Sequence, residues 1–145
     1  MIDYTGKLNE KKDYLRILEK LKSKTSYIEI VILDGRKTNE LVTMFQSDII
    51  SHNKVNRWWG TITKGQNNLY RIKSSDELFN YLKKFETFCK YYHYGTTKKS
   101  LNHGDYSEDT DFGIDDIAFY DINGNTLLNT TTHEGYIMIS EEIML

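Results

Sequence analysis

The spacing of hydrophobic and polar residues predicts a chain that mixes helices and strands. Apolar residues repeat at i, i+3, i+4 and i+7 over residues 9–23, which predicts a helix that Asn9 can cap. Residues 27–33 are almost continuously apolar and rich in β-branched side chains, as expected for a strand buried on both faces. Residues 38–50 fit either a short helix or a strand, and we favour the helix.

A second main helix is predicted to begin near Ser74. Ser74 and Glu77 have the spacing of a capping box, and Ser75 is a competing cap. Apolar residues then recur at helical spacing as far as Tyr92. The free cysteine, Cys89, falls on this apolar stripe, where a buried small hydrophobe is expected rather than a nucleophile.

The region between the helices predicts a hairpin. Its strands are expected at 57–64 and 69–73, joined by the turn-forming residues 65–68. Adjacent residues of a strand point to opposite faces, so one indole of Trp58-Trp59 should lie in the core and the other outside it or under a loop. After the second helix, residues 93–113 are polar and glycine-containing, which predicts a long functional loop.

The last third of the chain predicts a β-meander. Residues 117–122 and 125–129 flank an Asn-Gly turn, and residues 135–140 supply a third strand. Antiparallel strands need only short connections, so these three strands are expected to pair in sequence order. The predicted fold class is therefore α+β: one domain over residues 1–145, with a mostly antiparallel sheet and a C-terminal β-meander packed against two main helices.

Composition narrows the class of protein. With 145 residues, 39% hydrophobic content and 13% aromatic content, the chain is long and apolar enough for a packed domain. It contains no apolar run of membrane-spanning length, and its polar start lacks a signal-peptide core. One cysteine excludes an intrachain disulfide framework and fits a reducing compartment, so the expected location is the cytoplasm.

Charge is distributed very unevenly along the chain. Residues 1–99 carry all 19 basic residues and 11 acidic ones, whereas residues 100–145 carry 10 acidic residues and no lysine or arginine. Such asymmetry is typical of a chain with a charged partner. Because Tyr106 and Phe112 lie among the acids, we expect them to anchor a surface that binds a basic protein. The predicted binding residues are Asp105, Tyr106, Glu108, Asp109, Asp111, Phe112, Asp115 and Asp116.

Other chemistries have weaker support in the sequence. The acidic stretch does not have the ligand spacing of an EF-hand, no histidine pair has the spacing of a zinc site, and no nucleophile or phosphate-loop motif is present. We therefore predict no cofactor, no resident metal and no enzymatic activity. Two alternatives remain, a hydrolytic metal site near His103 and a nucleic-acid-binding or ribonuclease surface in the basic region 83–99. The residues of that surface would be Lys83, Lys84, Lys90, His93, Lys98 and Lys99.

With its acidic, aromatic-bearing segment at 105–116 and no catalytic signature, the chain resembles the small immunity proteins that neutralise bacterial contact-dependent or polymorphic nuclease toxins. The resemblance is one of type and includes no family motif. It implies a cytoplasmic inhibitor that binds a basic toxin domain and covers its active site or substrate groove. A nuclease must present lysine and arginine to phosphates, and an acidic surface competes for those groups.

Overall fold

A computed structural model describes residues 1–33, 39–59, 61–91, 106–132 and 136–145. Within these ranges, the helices are α1 (Lys11–Lys24), α2 (Glu40–Met44) and α3 (Asp76–Leu82). The strands are β1 (Ile2–Asp3), β2 (Tyr27–Ile32), β3 (Ile49–Trp58), β4 (Thr61–Lys73), β5 (Cys89–Tyr91), β6 (Tyr106–Thr110), β7 (Asp116–Tyr120), β8 (Thr126–Thr131) and β9 (Tyr136–Ile139).

Seven strands form one antiparallel sheet in the order β1-β9-β8-β7-β2-β4-β3, and β5 and β6 form a separate two-stranded sheet. The predicted α+β class, with a mostly antiparallel sheet and a C-terminal β-meander, is confirmed. Strand β2 lies between β4 and β7, so it joins the central hairpin to the meander. The hairpin β3–β4, from the basic part of the chain, therefore lies toward one edge of the sheet. The meander β7–β8–β9, from the part without lysine or arginine, lies toward the other edge.

The main hydrophobic core lies between one face of this sheet and the helices. Ile28, Ile30 and Ile32 of β2 point into it and are almost fully buried. All three helices contribute to the same core, in which α1 supplies the predicted stripe of Tyr14, Ile17, Leu18 and Leu21. On the opposite face, Val31, Trp58 and Ala118 form a second, smaller cluster that contains no helical residue.

Several predicted boundaries differ from those observed. Helix α1 begins two residues after Asn9, and its N-cap is Glu10, which makes no side-chain capping bond. Helix α3 begins after Ser75, whose hydroxyl accepts a hydrogen bond from the Leu78 amide, so the competing cap is the one used. The helix preferred over strand within 38–50 is present as α2, with Asn39 as its cap, although β3 already begins at Ile49.

The predicted second helix is too long, because α3 ends at Leu82 and Cys89 begins a strand. Hydrogen bonds to Asp111, which is distant in the sequence, hold residues 86–88 in a non-helical conformation. The Asp111 carboxylate accepts from the Glu86 amide at 2.9 Å, and the Phe88 carbonyl accepts from the Asp111 amide at 3.0 Å. The predicted loop at 93–113 is corrected in part, since β6 occupies Tyr106–Thr110.

The central hairpin exists, but its turn is not at 65–68. Trp58 pairs with Thr61, which leaves only residues 59 and 60 as the connection, and β4 runs as one strand through the predicted turn, with a register irregularity against β3 between Ile62 and Asn67. In the meander, the Asn-Gly turn lies where predicted. There Gly124 has a φ of +80°, and Asp121 accepts hydrogen bonds from the amides of Asn123 and Asn125.

Tyr14 links α1 to the end of α3 and provides a test of this packing. Its ring is fully buried, and its hydroxyl donates to the Leu82 carbonyl. Tyr14→Phe keeps the ring but removes this hydrogen bond, while the Leu82 carbonyl still accepts one from the Phe85 amide at 3.2 Å, so we expect a loss of about 0.5–1.5 kcal/mol in the free energy of unfolding. Urea denaturation measures this loss, and a change below about 0.5 kcal/mol would contradict the assigned contact.

Candidate functional site

The predicted acidic surface is only partly described by the structure. Asp105 lies outside the described residues, and Tyr106, Glu108 and Asp109 are described only as backbone positions of β6. The other four members, Asp111, Phe112, Asp115 and Asp116, have described side chains. Their positions show how much of the predicted surface is available to a partner.

Asp115 and Asp116 are buried rather than displayed. Their exposed fractions are 9% and 7%. The Asp115 carboxylate accepts a hydrogen bond from the Leu33 amide at 2.7 Å, where β2 has just ended. The Asp116 carboxylate accepts from the Thr130 hydroxyl at 2.7 Å and from the Thr132 amide at 2.8 Å. These two acids connect strands inside the fold, so their assignment to an exposed binding surface is corrected.

Burial also changes the acidity of Asp116. Desolvation raises its pKa from 3.8 to about 7, although hydrogen bonds from Thr132 and Thr130 act in the opposite direction. Asp121 behaves differently, because hydrogen bonds from Asn125 and other groups of the β7–β8 turn lower its pKa. The acidic segment is therefore less negative near neutral pH than its residue count indicates.

Phe112 is a core residue rather than an exposed anchor. It is 3% exposed, and its ring lies 5.0 Å from that of Phe85 and 6.1 Å from that of Phe88. Asp111 is half-buried and caps the turn at Glu86. The expectation that Phe112 projects toward a partner is therefore wrong, because its ring packs between Tyr14 of α1 and the segment that connects α3 to β5.

The alternative basic surface is likewise only partly described. Lys83 forms an ion pair with Glu19 at 2.9 Å, and the Lys84 ammonium lies 5.6 Å from the centre of the Tyr81 ring. Lys90 is a backbone position of β5, whereas His93, Lys98, Lys99 and His103 lie outside the described residues. Cys89 is 3% exposed, and burial raises the pKa of its thiol, which is unfavourable for a nucleophile.

The most distinctive surface is the sheet face opposite the helices, which we call the open face. Directly paired residues share a face, so the pairings place Arg71, Glu29, Ala118, Asn129 and Met138 in one row across β4, β2, β7, β8 and β9. No helix of the described ranges packs on this side. This row therefore spans five adjacent strands, with Arg71 and Met138 partly exposed at its two ends and Glu29, Ala118 and Asn129 buried between them.

An aromatic stack crosses the open face. The Tyr27 and Tyr120 rings lie 5.0 Å apart, and the Trp59 ring lies 6.3 Å from Tyr120, both pairs nearly parallel. The Arg71 guanidinium lies 4.6 Å from the centre of the Tyr27 ring and forms an ion pair with Glu29 at 3.1 Å. The Tyr120 hydroxyl also donates a hydrogen bond to the Glu29 carboxylate, and burial is the main cause of the raised pKa of this hydroxyl. These contacts hold the stack in one arrangement.

Trp58 and Trp59 divide as predicted between core and surface. Trp58 is 7% exposed and donates its indole N–H to the Thr130 carbonyl at 2.8 Å, which fixes the end of the hairpin over β8. Trp59 is 42% exposed and has a φ of 49°, a left-handed conformation that a two-residue hairpin connection requires. Asn, Asp or Gly usually occupies such a position, so a tryptophan there suggests a role other than the turn.

Trp59 also forms one wall of an open pocket of about 360 Å³. The other lining residues are Met1, Asn129, Thr131, Tyr136 and Met138. Four of the six lining side chains are aromatic or methionine, and Asn129 and Thr131 supply polar groups. Sequence patterns indicated only the tryptophan pair, because the rest of the lining comes from β8, β9 and the start of the chain, which meet only in the folded sheet.

The described residues contain no group of three or more His, Cys, Asp or Glu side chains placed to hold a metal. Across the same ranges, none of the helices has the length and apolar character needed to cross a membrane. Comparison of the chain with protein-family models, curated proteins and solved structures gives no match.

The raised pKa of Asp116 predicts a specific pH dependence of stability. Folding favours the protonated acid, so this contribution is complete below pH 3.8 and is lost as the pH rises to about 7. Asp116→Asn should remove up to about 4 kcal/mol of this decline in the free energy of unfolding. Asp121→Asn is the matched control and should remove a dependence of opposite sign, because its pKa is lowered. Identical pH profiles for wild type and Asp116→Asn would contradict the assignment.

The core position of Phe112 predicts a large effect of truncation. Phe112→Ala should lower the free energy of unfolding by about 3–5 kcal/mol, because it removes a ring packed against Phe85 and Phe88. Guanidinium denaturation measures the loss. A change within about 0.5 kcal/mol, as expected for an exposed anchor, would overturn the core assignment.

Proposed function

We propose that this protein is an immunity-type inhibitor that binds a basic protein partner, a toxin nuclease domain, through the open face of its sheet. The observation that carries the proposal is the aromatic stack beside an open pocket, in which Trp59 is exposed and Tyr27 and Tyr120 are partly buried. The proposed binding surface differs from the predicted acidic segment, because Phe112, Asp115 and Asp116 are buried.

The composition of the open face supports protein binding. Tryptophan, tyrosine, methionine and arginine are enriched in the cores of protein interfaces, and tryptophan and tyrosine are frequent hot-spot residues. Trp59, Tyr120 and Tyr27 are already stacked, so binding would cost little side-chain entropy. The pocket beside Trp59 is suited to an apolar side chain of the partner, because Met1, Tyr136 and Met138 also line it.

The charge of the chain supports a basic partner. Strands β7, β8 and β9 belong to the 46-residue segment that contains 10 acids and no lysine or arginine. Part of this charge is compensated internally, since Glu142 pairs with Lys24 of α1 at 3.8 Å. The remainder favours association with a positively charged domain and lowers the probability of direct binding to phosphates.

In this proposal the protein acts in the cytoplasm as a stoichiometric inhibitor. The anchor residues determine how slowly the complex dissociates, and the excess of acids over bases in residues 100–145 accelerates encounter with the partner. Occupation of the substrate groove of the toxin domain would block access of nucleic acid. The inhibitor itself needs no catalytic group for this activity.

The proposal is tested first by capture. Tagged protein is used to isolate partners from cells of the native host, with washes at low and high salt. We expect one basic protein in stoichiometric amount, and its nuclease activity should fall when the purified chain is added. Recovery of RNA without protein, or a captured protein that is acidic, would contradict the proposal.

Trp59→Asn then separates binding from folding. Asn accepts the left-handed conformation more readily than Trp, so the relief of strain offsets the lost stacking and stability should change by less than about 1 kcal/mol. Affinity for the captured partner, measured by calorimetry, should fall about thirtyfold or more because the anchor is lost.

The matched control is Ile50→Asn, which removes another hydrophobic side chain, 57% exposed, from the same hairpin. Its affinity should stay within about threefold of wild type, since Ile50 does not line the pocket. Equal losses in the two variants, or full affinity in Trp59→Asn, would exclude the open face as the interface.

A further inference from the structure

Strand β3 is the outermost strand on the basic side of the sheet. It is ten residues long, and β4 is the only strand of the described ranges that pairs with it. An edge strand of this length presents backbone N–H and C=O groups along its outer side. The opposite edge is much smaller, because β1 contains only two residues.

The β3–β4 hairpin is strongly basic. Residues 49–73 contain five lysines and arginines and no aspartate or glutamate. Arg71 is compensated by Glu29 of the neighbouring strand. On β3 itself, Lys54 and Arg57 are exposed, as are His52, Asn53 and Asn56, and Lys54 also interacts with another group of the protein. The edge therefore combines free strand geometry with positive charge.

Regular pairing between β3 and β4 extends only between two register irregularities. Register shifts occur between Ile49 and Ser51 and between Val55 and Arg57, and the pairing with β4 is continuous from Ser51 to Val55. Bulges and lysines at an edge discourage pairing with an identical edge, because like charges meet. The positive charge of Lys54 and Arg57 favours an incoming strand of opposite charge, whereas the bulges limit regular pairing to the stretch between Ser51 and Val55.

We propose that the outer edge of β3 binds an extended, acidic segment of a partner polypeptide by β-strand addition. The partner strand would pair with the backbone between Ser51 and Val55, and its carboxylates would lie near Lys54 and Arg57. Charge complementarity thus determines which strands the edge accepts.

The observations favour a peptide over a single-stranded nucleic acid. Nucleic acids bind such surfaces by stacking bases on free aromatic rings. The aromatic ring carried by the regular part of β3 is that of His52, which is stacked on Tyr70 with ring centres 4.1 Å apart, and its Nε2 lies 2.9 Å from Asn68 Oδ1. The backbone edge, in contrast, is suited to the hydrogen bonds of another strand.

This site is separate from the proposed interface on the open face. The pairing stretch Ser51–Val55 belongs neither to the pocket nor to the aromatic stack, and β4, β2 and β7 lie between β3 and β8 in the sheet order. An experiment that disproves one of the two proposals would therefore not disprove the other.

The test uses the intact protein and three short capped peptides. The first alternates valine and glutamate, the second has lysine in place of glutamate, and the third is the acidic peptide interrupted by prolines, which cannot form a strand. We expect the first peptide to bind with a salt-sensitive affinity and to slow amide exchange in β3, as measured by nuclear magnetic resonance. The other two should bind at least about tenfold more weakly.

The double variant Lys54→Glu/Arg57→Glu should weaken binding of the acidic peptide at least about tenfold. The matched control, Lys12→Glu/Arg16→Glu, makes the same charge change on α1, where both side chains are mostly exposed, and should retain more than about half of the affinity. Equal binding of all three peptides, protection of residues outside β3, or binding of oligothymidylate at this edge in place of the peptide would overturn the inference.

Discussion

The structure depends on strand β2 and the two ladders that it forms. Tyr27–Ile32 is hydrogen-bonded to β4 on one side and to β7 on the other. Successive side chains of β2 point to opposite faces of the sheet. Ile28, Ile30 and Ile32 pack in the core beneath the helices. Tyr27, Glu29 and Val31 lie on the open face. Because β2 joins the basic hairpin to the acidic meander, the charge asymmetry of the sequence becomes a spatial one.

The acids of the C-terminal third have two different roles, and only one of them concerns partners. Asp111, Asp115 and Asp116 accept hydrogen bonds from backbone amides where strands or turns end, so they stabilise the fold from within. The burial of Asp116 even favours its neutral form. A count of charges therefore overstates the negative surface, while the excess that remains still favours a basic partner.

Local patterns predicted those elements whose local preference agrees with the tertiary structure, namely α1, β2 and the meander. Prediction failed where distant contacts decide the outcome. The Asp111–Glu86 bond ends the second helical region early, and the pairing of Trp58 with Thr61 places the hairpin turn outside the polar residues 65–68. For the candidate site, the sequence drew attention to Trp59 through the tryptophan pair. It did not predict that Tyr136 and Met138 line the same pocket, because the order of the strands in the folded sheet brings them together.

The central claim is that the open face is accessible in the free protein and covered in the complex. Hydroxyl-radical footprinting of the intact chain, alone and with its captured partner, measures this at single residues. We predict rapid oxidation of Trp59 and Met138 in the free protein, slow oxidation of the buried Trp58, and strong protection of Trp59 and Met138 by the partner. Slow oxidation of Trp59 in the free chain, or protection confined to another surface, would contradict the account.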